Sequence, residues 1–271
     1  MLERPIGVFD SGVGGLTVAH ELMRQLPKEE LIYVGDTLRC PYGSRPKEEV
    51  KQFTFELVKF LLKKNVKMIV IACNTATAFA LEDLQKNLDI PVIGVIQPGA
   101  RAAIKNTKNE HIGIIGTEGT VHSNAYPNAL QKINQKLNVK SLACPAFVPM
   151  VEKGITEGEQ AKRVVEQSLR SLRNDTKIDT LVLGCTHYPL LQNVIQEVMG
   201  EDVKIISSGE ETARETSTIL EVKNLLYTGN RTPKHSFYTT GDLKVFQQIS
   251  KTIFKQTIKD LRNLTIEKVT L

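Results

Sequence analysis

The sequence predicts an α/β fold with mostly parallel sheets flanked by helices. Short, continuously apolar runs alternate with amphipathic stretches almost from end to end of the 271 residues. Uninterrupted apolar runs are typical of strands that are buried on both faces of a parallel sheet. The predicted strands are 5–9, 31–35, 67–72, 91–95, 111–116, 139–143, 179–184 and 203–207. The clearest helical patterns are 47–64, 75–88, 124–136, 157–173, 187–199 and 211–227.

Two turns indicate a division into two domains. The segment QPG at 97–99 follows the fourth predicted strand, and SSG at 207–209 follows the eighth. If the chain crosses between domains at both turns, one α/β domain comprises residues 1–97 plus 209–271 and the other comprises residues 98–208. Each domain then contains four of the predicted strands.

The composition excludes several classes of protein. The 35 basic and 30 acidic residues give a net charge of only +5, whereas nucleic-acid-binding proteins usually show clustered charge. We therefore expect no nucleic-acid partner. The densest basic segment, near the C-terminus, has lysines at helix-like spacing between apolar residues, which predicts a solvated helix face. These lysines are Lys244, Lys251, Lys255 and Lys259.

The chain shows no membrane or secretion signal. No apolar run reaches the roughly 18 residues of a membrane-spanning helix, and the N-terminus lacks the basic and apolar regions of a signal peptide. We therefore expect a cytoplasmic protein without a membrane partner, in which the four cysteines are reduced thiols. No CxxC pair and no His-Cys cluster at metal-ligand spacing is present, so no metal site is predicted.

The strongest functional signal is a cysteine context that occurs twice. MIVIACNTATAFAL (68–81) and TLVLGCTHYPLLQN (180–193) each have an apolar strand, a small residue, a cysteine and then polar residues before a helical pattern. Ligands bind beyond the carboxyl ends of parallel strands, and a helix N-terminus favours a thiolate. The cysteines are Cys73, followed by Asn74 and Thr75, and Cys185, followed by Thr186 and His187.

One such cysteine would be best explained as a buried strand-end residue, but two in the same setting indicate function. Cys40 and Cys144 each precede a proline in a loop-like segment, and we predict that they are structural. Two separated thiols are compatible with a disulfide couple, a metal site or acid–base chemistry at carbon. The reduced cytoplasm disfavours the first, and two thiolates with one histidine make an incomplete zinc set. Two bases on opposite faces of a carbon would invert that centre without a cofactor.

A glycine-rich turn, DSGVGGLT (10–17), follows the first predicted strand. It resembles part of a dinucleotide-binding turn, and Asp36 ends the second strand roughly where a ribose-binding acid belongs. However, Thr17 replaces the third glycine of GxGxxG, and Asp10 would repel a pyrophosphate. We favour a tight turn that places Asp10 and Ser11 at a pocket rim, with helix amides available to a carboxylate.

Two more loops are expected at the same edge. GDTLRCPYGSRP (35–46) follows the second strand, and GTEGTVHSNAY (116–126) offers Thr117 and Thr120, which would either bind a ligand or cap the next helix. By spacing alone, His187 is equally a helix-start residue or a partner of Cys185, and Glu152 is indistinguishable from a surface glutamate.

Taken together, the motifs FDSGVGG, PYG with the following SR, ACNTATA, the two GT pairs and GCTHYPLL resemble the glutamate racemases of the cofactor-independent aspartate/glutamate racemase superfamily. The resemblance extends from about residue 5 to residue 227. It implies two similar α/β domains that face each other, with the active site in the cleft between them.

The resemblance also implies roles for single residues. Cys73 would act on D-glutamate with the help of Asp10, and Cys185 would act on L-glutamate with the help of His187 and Glu152. No cofactor or metal would take part, and the product D-glutamate would supply peptidoglycan synthesis. Homodimers occur in this family. The expected substrate-binding residues are Asp10, Ser11, Pro41, Tyr42, Gly43, Ser44, Asn74, Thr75, Thr117, Thr120, Thr186 and His187.

Other functions remain open. A related racemase for aspartate or another small amino acid would share these motifs, because specificity depends on pocket depth. A non-catalytic module that binds an anion or metabolite would use the glycine-rich turn alone.

Overall fold

The computed structural model of the protein describes residues 1–254 and 264–271 and contains two parallel sheets. The α/β class with parallel sheets flanked by helices is confirmed. None of the helices within these described residues is long and apolar enough to cross a membrane.

The first sheet has six strands. They are β1 (Ile6–Asp10), β2 (Leu31–Gly35), β3 (Met68–Ile71), β4 (Val92–Gly94), β9 (His235–Thr239) and β10 (Leu264–Lys268). Their order is β10-β9-β2-β1-β3-β4, and every neighbouring pair is parallel. The carboxyl ends of all six strands therefore lie at one edge of the sheet.

The second sheet has four strands, which are β5 (His111–Gly116), β6 (Asn138–Ala143), β7 (Thr180–Gly184) and β8 (Lys204–Ser207). Their order is β6-β5-β7-β8, again with parallel pairing throughout. The first sheet takes its strands from both ends of the chain and the second from the middle. The domain boundaries expected near residues 97 and 208 remain a prediction.

Helices follow the strands and cover both faces of each sheet. They are α1 (Leu16–Gln25), α2 (Lys47–Lys63), α3 (Asn74–Asn87), α4 (Ile96–Asn106), α5 (Glu118–His122), α6 (Ala125–Gln131), α7 (Phe147–Glu152), α8 (Gly158–Arg173), α9 (Gln192–Met199), α10 (Ser208–Val222) and α11 (Leu243–Phe254). The long helix α10 follows β8 and packs against both α1 and α4. It thereby connects the helical layers that cover the two sheets. The first sheet with its helices is the first half of the molecule, and the second sheet with its helices is the second half.

Alternate residues of the central strands enter different cores. In β3, Met68 and Val70 pack with α1 residues on one face, whereas Ile69 and Ile71 pack with α2 and α3 residues on the other. Because both faces are buried, these strands contain no alternating polar residues. This explains why the apolar runs in the sequence located these central strands.

The C-terminal strands β9 and β10 were not predicted. The sequence of β9, HSFYT, alternates between buried and partly buried residues, and β10, LTIEK, is partly buried or exposed. Neither has a continuous apolar run. The lysine face expected in this region is present on α11, where Lys244 and Lys251 are exposed. Lys255 and Lys259 lie outside the described residues.

The helix expected at 187–199 begins differently from its prediction. A 3₁₀ turn at Tyr188–Leu191 precedes α9. Pro189 lies within this first turn, where its missing N–H removes no helical hydrogen bond. The tight turn leaves His187 directly at the carboxyl end of β7.

A buried ion pair lies at the amino ends of the strands of the first sheet. The Lys67 Nζ atom lies 2.7 Å from both carboxylate oxygens of Glu29. It also donates hydrogen bonds to the carbonyls of Leu2 and Leu225, at 2.8 and 2.9 Å. One cluster thus connects the N-terminus, the start of β3 and the segment after α10.

We predict that Glu29→Gln lowers the free energy of unfolding by about 3–5 kcal/mol, because it leaves the Lys67 ammonium buried without a counter-charge. Urea denaturation measures this value. Glu197→Gln is the matched control, since its partner Lys162 is on the surface and an exposed pair contributes at most about 1 kcal/mol. Equal losses in the two variants would contradict the role of the buried pair.

Candidate functional site

The carboxyl ends of the two sheets face each other across a narrow cavity. Residues from both halves of the molecule line this cavity. The lining residues are Ser11, Cys40, Pro41, Tyr42, Gly43, Cys73, Asn74 and Thr75 from the first half, and Thr117, Val148, Gly184, Cys185, Thr186 and His187 from the second. The two cysteines of the repeated motif therefore line one space.

The cavity is almost closed. The centre of a water molecule can reach about 20 Å³ of it, which is room for one or two waters at roughly 10–15 Å³ each. Water is therefore largely excluded from both thiols, and charges in the cavity interact more strongly than they would in bulk solvent.

Cys73 lies between β3 and α3, where it caps the helix. Its Sγ accepts a hydrogen bond from the Ala76 backbone N–H at 3.4 Å, and the Ser11 hydroxyl is 3.6 Å away. Burial raises the pKa of the Cys73 thiol to about 12, and the negative charge of Asp10 adds to this effect. Cys73 is therefore a neutral thiol at neutral pH in the closed cavity.

Asp10 is the last residue of β1 and is fully buried. Its Oδ2 accepts a hydrogen bond from the Gly12 N–H at 2.9 Å, and its Oδ1 accepts one from the Thr186 hydroxyl at 3.3 Å. Burial raises the pKa of Asp10, although His187 and the N–H groups of the turn counteract part of the increase. Asp10 thus connects the glycine-rich turn that follows β1 to the motif that contains Cys185.

Cys185 directly follows β7, and His187 lies beside it. The His187 Nδ1 atom is 3.9 Å from Cys185 Sγ, and both side chains are buried. On the other side of the ring, Nε2 is 3.4 Å from Glu152 Oε1, at the end of α7. This separation suits an ion pair, but no described residue forms a hydrogen bond with Nε2.

The charge state of His187 follows from these neighbours. Burial by itself lowers the pKa of the imidazole, but Cys185 and Glu152 outweigh burial and raise the pKa from 6.5 to about 10. His187 is therefore an imidazolium at neutral pH. The two thiols consequently have different partners: a carboxylate for Cys73 and a cation for Cys185.

A buried carboxylate holds the loop after β2. Asp36 Oδ2 accepts hydrogen bonds from the Tyr42 hydroxyl at 2.5 Å and from Arg39 Nε at 2.6 Å, and Oδ1 accepts one from Thr240 at 2.9 Å. Asp36 therefore positions Tyr42 in the cavity wall. Because both of its carboxylate oxygens already have partners, Asp36 is not a ribose-binding acid.

The glycine-rich turn allows the two halves to approach. A Cβ atom at Gly14 would lie 2.5 Å from Thr186 Oγ1 and 2.6 Å from His187 Nδ1. The space above this turn, where a pyrophosphate would bind, is occupied by the second half of the chain.

Asn74 presents an amide donor to the cavity. Its Oδ1 accepts a hydrogen bond from the Tyr126 hydroxyl at 2.8 Å, and Ser208 also hydrogen-bonds to this hydroxyl. The Asn74 Nδ2 atom is buried and has no hydrogen-bond partner among the described residues. Buried donors are rarely left unpaired, so a bound acceptor would satisfy this one.

Three threonines join the halves beside the cavity. The Thr75 hydroxyl is 2.9 Å from that of Thr117 and 3.2 Å from that of Thr120. Thr117 also caps α5 by accepting the Thr120 N–H. The Gly119 N–H donates to the Gly43 carbonyl at 2.7 Å.

Four of the expected site residues lie outside the cavity lining. Asp10 and Thr120 are buried behind it, Glu152 contacts His187 from the exposed side, and Ser44 is exposed. Three lining residues were not expected: Cys40, Val148 and Gly184. The signal for Cys40 was its place in the loop that contains PYG. Cys144 is buried in the core of the second half.

Comparisons with known proteins identify the family to which this arrangement belongs. The family model described as Asp/Glu/Hydantoin racemase matches residues 6–216. The chain is 62% identical over 270 residues to a glutamate racemase of Oceanobacillus iheyensis, covering 100% of this chain and 98% of that one.

Solved structures give the same result. A glutamate racemase isoform of Bacillus anthracis is 50% identical with a TM-score of 0.94, and the match covers 100% of this chain and 99% of that one. A glutamate racemase of Francisella tularensis, in complex with D-glutamate, is 36% identical with a TM-score of 0.90, covering 100% and 98%.

We predict that the contribution of His187 to stability depends on pH. Because its pKa is raised in the folded state, this contribution is fully present below about pH 6.5 and is lost as the pH rises towards 10. The stability difference between the wild type and His187→Asn should therefore decrease over this range, by at most about 1.4 kcal/mol per pH unit. Urea denaturation at several pH values measures it, and a difference that stays constant would contradict a charged His187.

Proposed function

The chain belongs to the Asp/Glu/hydantoin racemase family, and on that premise we propose that it interconverts L-glutamate and D-glutamate by moving the α-proton between two thiols. The observation that carries this proposal is the single closed cavity lined by Cys73 and Cys185, each at the carboxyl end of a different parallel sheet. Glutamate is the substrate named for the relatives that match the full chain.

The reaction needs one thiolate and one thiol at a time. In the direction from L- to D-glutamate, the Cys185 thiolate takes the α-proton, and the Cys73 thiol delivers its own proton to the opposite face of the carbon. The product then leaves with Cys185 as a thiol and Cys73 as a thiolate. The reverse direction exchanges these roles, so no cofactor is consumed and no net proton is lost.

Each thiolate has a stabilising partner close by. The Ala76 N–H and the Ser11 hydroxyl lie next to Cys73 Sγ, and the His187 imidazolium lies next to Cys185 Sγ. Asp10 would accept the proton of Cys73, because burial raises the pKa of this carboxyl and its charge acts on the Cys73 thiol. Glu152 keeps His187 charged.

The carboxylates and ammonium of the substrate would bind to polar groups at the strand–helix junctions. The unpaired amide of Asn74 and the hydroxyls of Thr75, Thr117 and Thr186 suit a carboxylate. Such fixed donors also stabilise the charge that develops at the α-carbon. We propose the same binding role for Ser11, Pro41, Tyr42 and Gly43, which line the cavity.

Glutamate requires more space than the closed cavity offers. We infer that the two halves separate to admit it and close again around it, since the contacts across the cleft are a few hydrogen bonds such as Thr186 to Asp10 and Gly119 to Gly43. Closure would exclude water from the carbanion-like transition state.

We further propose a cytoplasmic location, because the mechanism needs reduced thiols and all four cysteines are free. The D-glutamate formed would supply peptidoglycan synthesis. We propose a homodimer as the assembled form, which sedimentation velocity would test.

The function is tested by following optical rotation with purified protein and no added cofactor. We expect loss of rotation from L-glutamate and from D-glutamate to the same racemic end point, and far slower change with L-aspartate. Faster turnover of aspartate would favour the related racemase, and no change with any of the three would favour a binding module.

We predict that Cys73→Ala and Cys185→Ala each lower kcat for racemisation by at least about 10²-fold, because an acid–base group contributes about 10²–10⁴-fold. Circular dichroism at a fixed wavelength measures the rate. Cys144→Ala is the matched control, since this thiol is buried but does not line the cavity. Retained turnover in either of the first two variants would refute the assigned pair.

We predict that Tyr126→Phe raises KM by about 5- to 10-fold for both enantiomers, with a smaller change in kcat. The substitution removes the hydrogen bond to Asn74, of about 1–1.5 kcal/mol, together with the contact to Ser208, and lets the Asn74 amide rotate away from the cavity. Tyr238→Phe, which removes a hydroxyl bonded to exposed Lys64, serves as control. A fall in kcat with unchanged KM would contradict this positioning role.

A further inference from the structure

Three metal-binding side chains converge beside the cavity, and the racemisation mechanism uses them only in part. Cys40 Sγ is 3.2 Å from Glu152 Oε1, and His187 Nε2 is 3.4 Å from the same oxygen. All three ligand atoms lie within 4.8 Å of one another. The sequence did not predict this cluster, because its members are far apart in the chain.

Two of the three separations are close to the ligand spacing of tetrahedral zinc. With the usual bond lengths, a sulfur and an oxygen ligand are about 3.6 Å apart and an imidazole nitrogen and an oxygen are about 3.4 Å apart. The observed 3.2 Å between sulfur and oxygen is about 0.4 Å below the first value, and the observed 3.4 Å between nitrogen and oxygen equals the second. Small side-chain adjustments would therefore admit an ion.

A second observation points to a ligand at this place. His187 is 2% exposed, and its Nε2 atom has no hydrogen-bond partner within the part of the chain that the structure describes. It faces Glu152, and the same carboxylate oxygen also contacts Cys40 Sγ. A buried ring nitrogen whose only close partner among the described residues is a carboxylate at ion-pair distance can coordinate a metal once it releases its proton.

We propose that Cys40, Glu152 and His187 form a binding site for Zn²⁺ and that zinc bound there inhibits the enzyme. The ion would coordinate Sγ, Oε1 and Nε2, and a water or a substrate oxygen would occupy the fourth position. Cys40 releases its thiol proton to solvent on binding, as does His187 when it is charged. A thiolate and an imidazole select zinc over magnesium or calcium.

Zinc would inhibit because its three ligands come from both halves of the molecule. Cys40 belongs to the loop after β2 in the first half of the chain, whereas Glu152 and His187 belong to the second half. A bound ion would cross-link the two halves in their closed arrangement and oppose the opening that admits glutamate. It would also replace the proton on His187 Nε2 and so change the imidazolium charge that stabilises the Cys185 thiolate, which slows both directions of the reaction.

Co²⁺ is the probe, because zinc has no visible spectrum and tetrahedral cobalt with a thiolate ligand has intense absorption bands. We expect the full chain to bind one Co²⁺ with a thiolate-to-metal charge-transfer band, which Zn²⁺ and EDTA abolish and Mg²⁺ does not. This readout does not depend on racemase activity, so it separates the metal site from the proposed function.

Cys40→Ser should abolish the charge-transfer band, and Glu152→Gln should weaken zinc affinity by at least about 100-fold, since loss of even an outer-shell partner costs about 10–100-fold. Cys73→Ser and Cys144→Ser are the matched controls and should retain the band. Thermal melting without metal confirms that each variant is folded. Because the Glu152 side chain is partly exposed, its substitution should not disturb folding, and it tests the site separately from Cys40→Ser.

Inhibition by Zn²⁺ should weaken in parallel, with an inhibition constant at least about 100-fold higher in Glu152→Gln. Three results would overturn the proposal. The wild type binds no cobalt in a tetrahedral thiolate site, Cys40→Ser keeps the band, or Cys73→Ser loses it. The last result would place the ion between the two reactive thiols instead.

Discussion

The close approach of two sheet edges is the constraint on which the site depends. Each edge supplies one strand–cysteine–helix junction, and neither junction alone forms a cavity. Contact across the gap is permitted at Gly14, where a side chain would collide with Thr186 and His187. Hydrogen bonds from Thr186 to Asp10 and from Tyr126 to Asn74 then fix the relative placement of the halves. The same few contacts can break, which is what an enzyme that must admit its substrate requires.

The two halves are similar in fold but different in electrostatics. Burial and the Asp10 charge keep Cys73 protonated, whereas Cys185 lies beside an imidazolium whose charge depends on Glu152. A proton transferred between the thiols therefore moves between a site stabilised by the Ala76 N–H and the Ser11 hydroxyl and a site stabilised by a cation. This difference need not bias the equilibrium, because L- and D-glutamate have equal free energies in solution. The difference does mean that different residues stabilise the reacting thiolate in the two directions of racemisation.

Local patterns predicted much of this arrangement, and spatial contacts supplied the remainder. Continuous apolar runs located the central strands, which are buried on both faces, but β9 and β10 have partly exposed residues and carry no such signal. The repeated motif identified Cys73 and Cys185 because each follows its strand directly. Cys40 and Tyr126 were not singled out as site residues. Their contacts with Glu152 and Asn74 cross long stretches of sequence and between the two halves, and no spacing rule encodes such contacts.

The central claim is that two thiols act on opposite faces of one carbon. The most direct test is the isotope content of both enantiomers during the initial turnover of L-glutamate in D2O. Because the delivering thiol exchanges its proton with solvent, newly formed D-glutamate should carry deuterium at the α-carbon while unreacted L-glutamate retains protium. D-glutamate that keeps the original α-protium, or deuterium that enters both enantiomers equally, would contradict the two-thiol account.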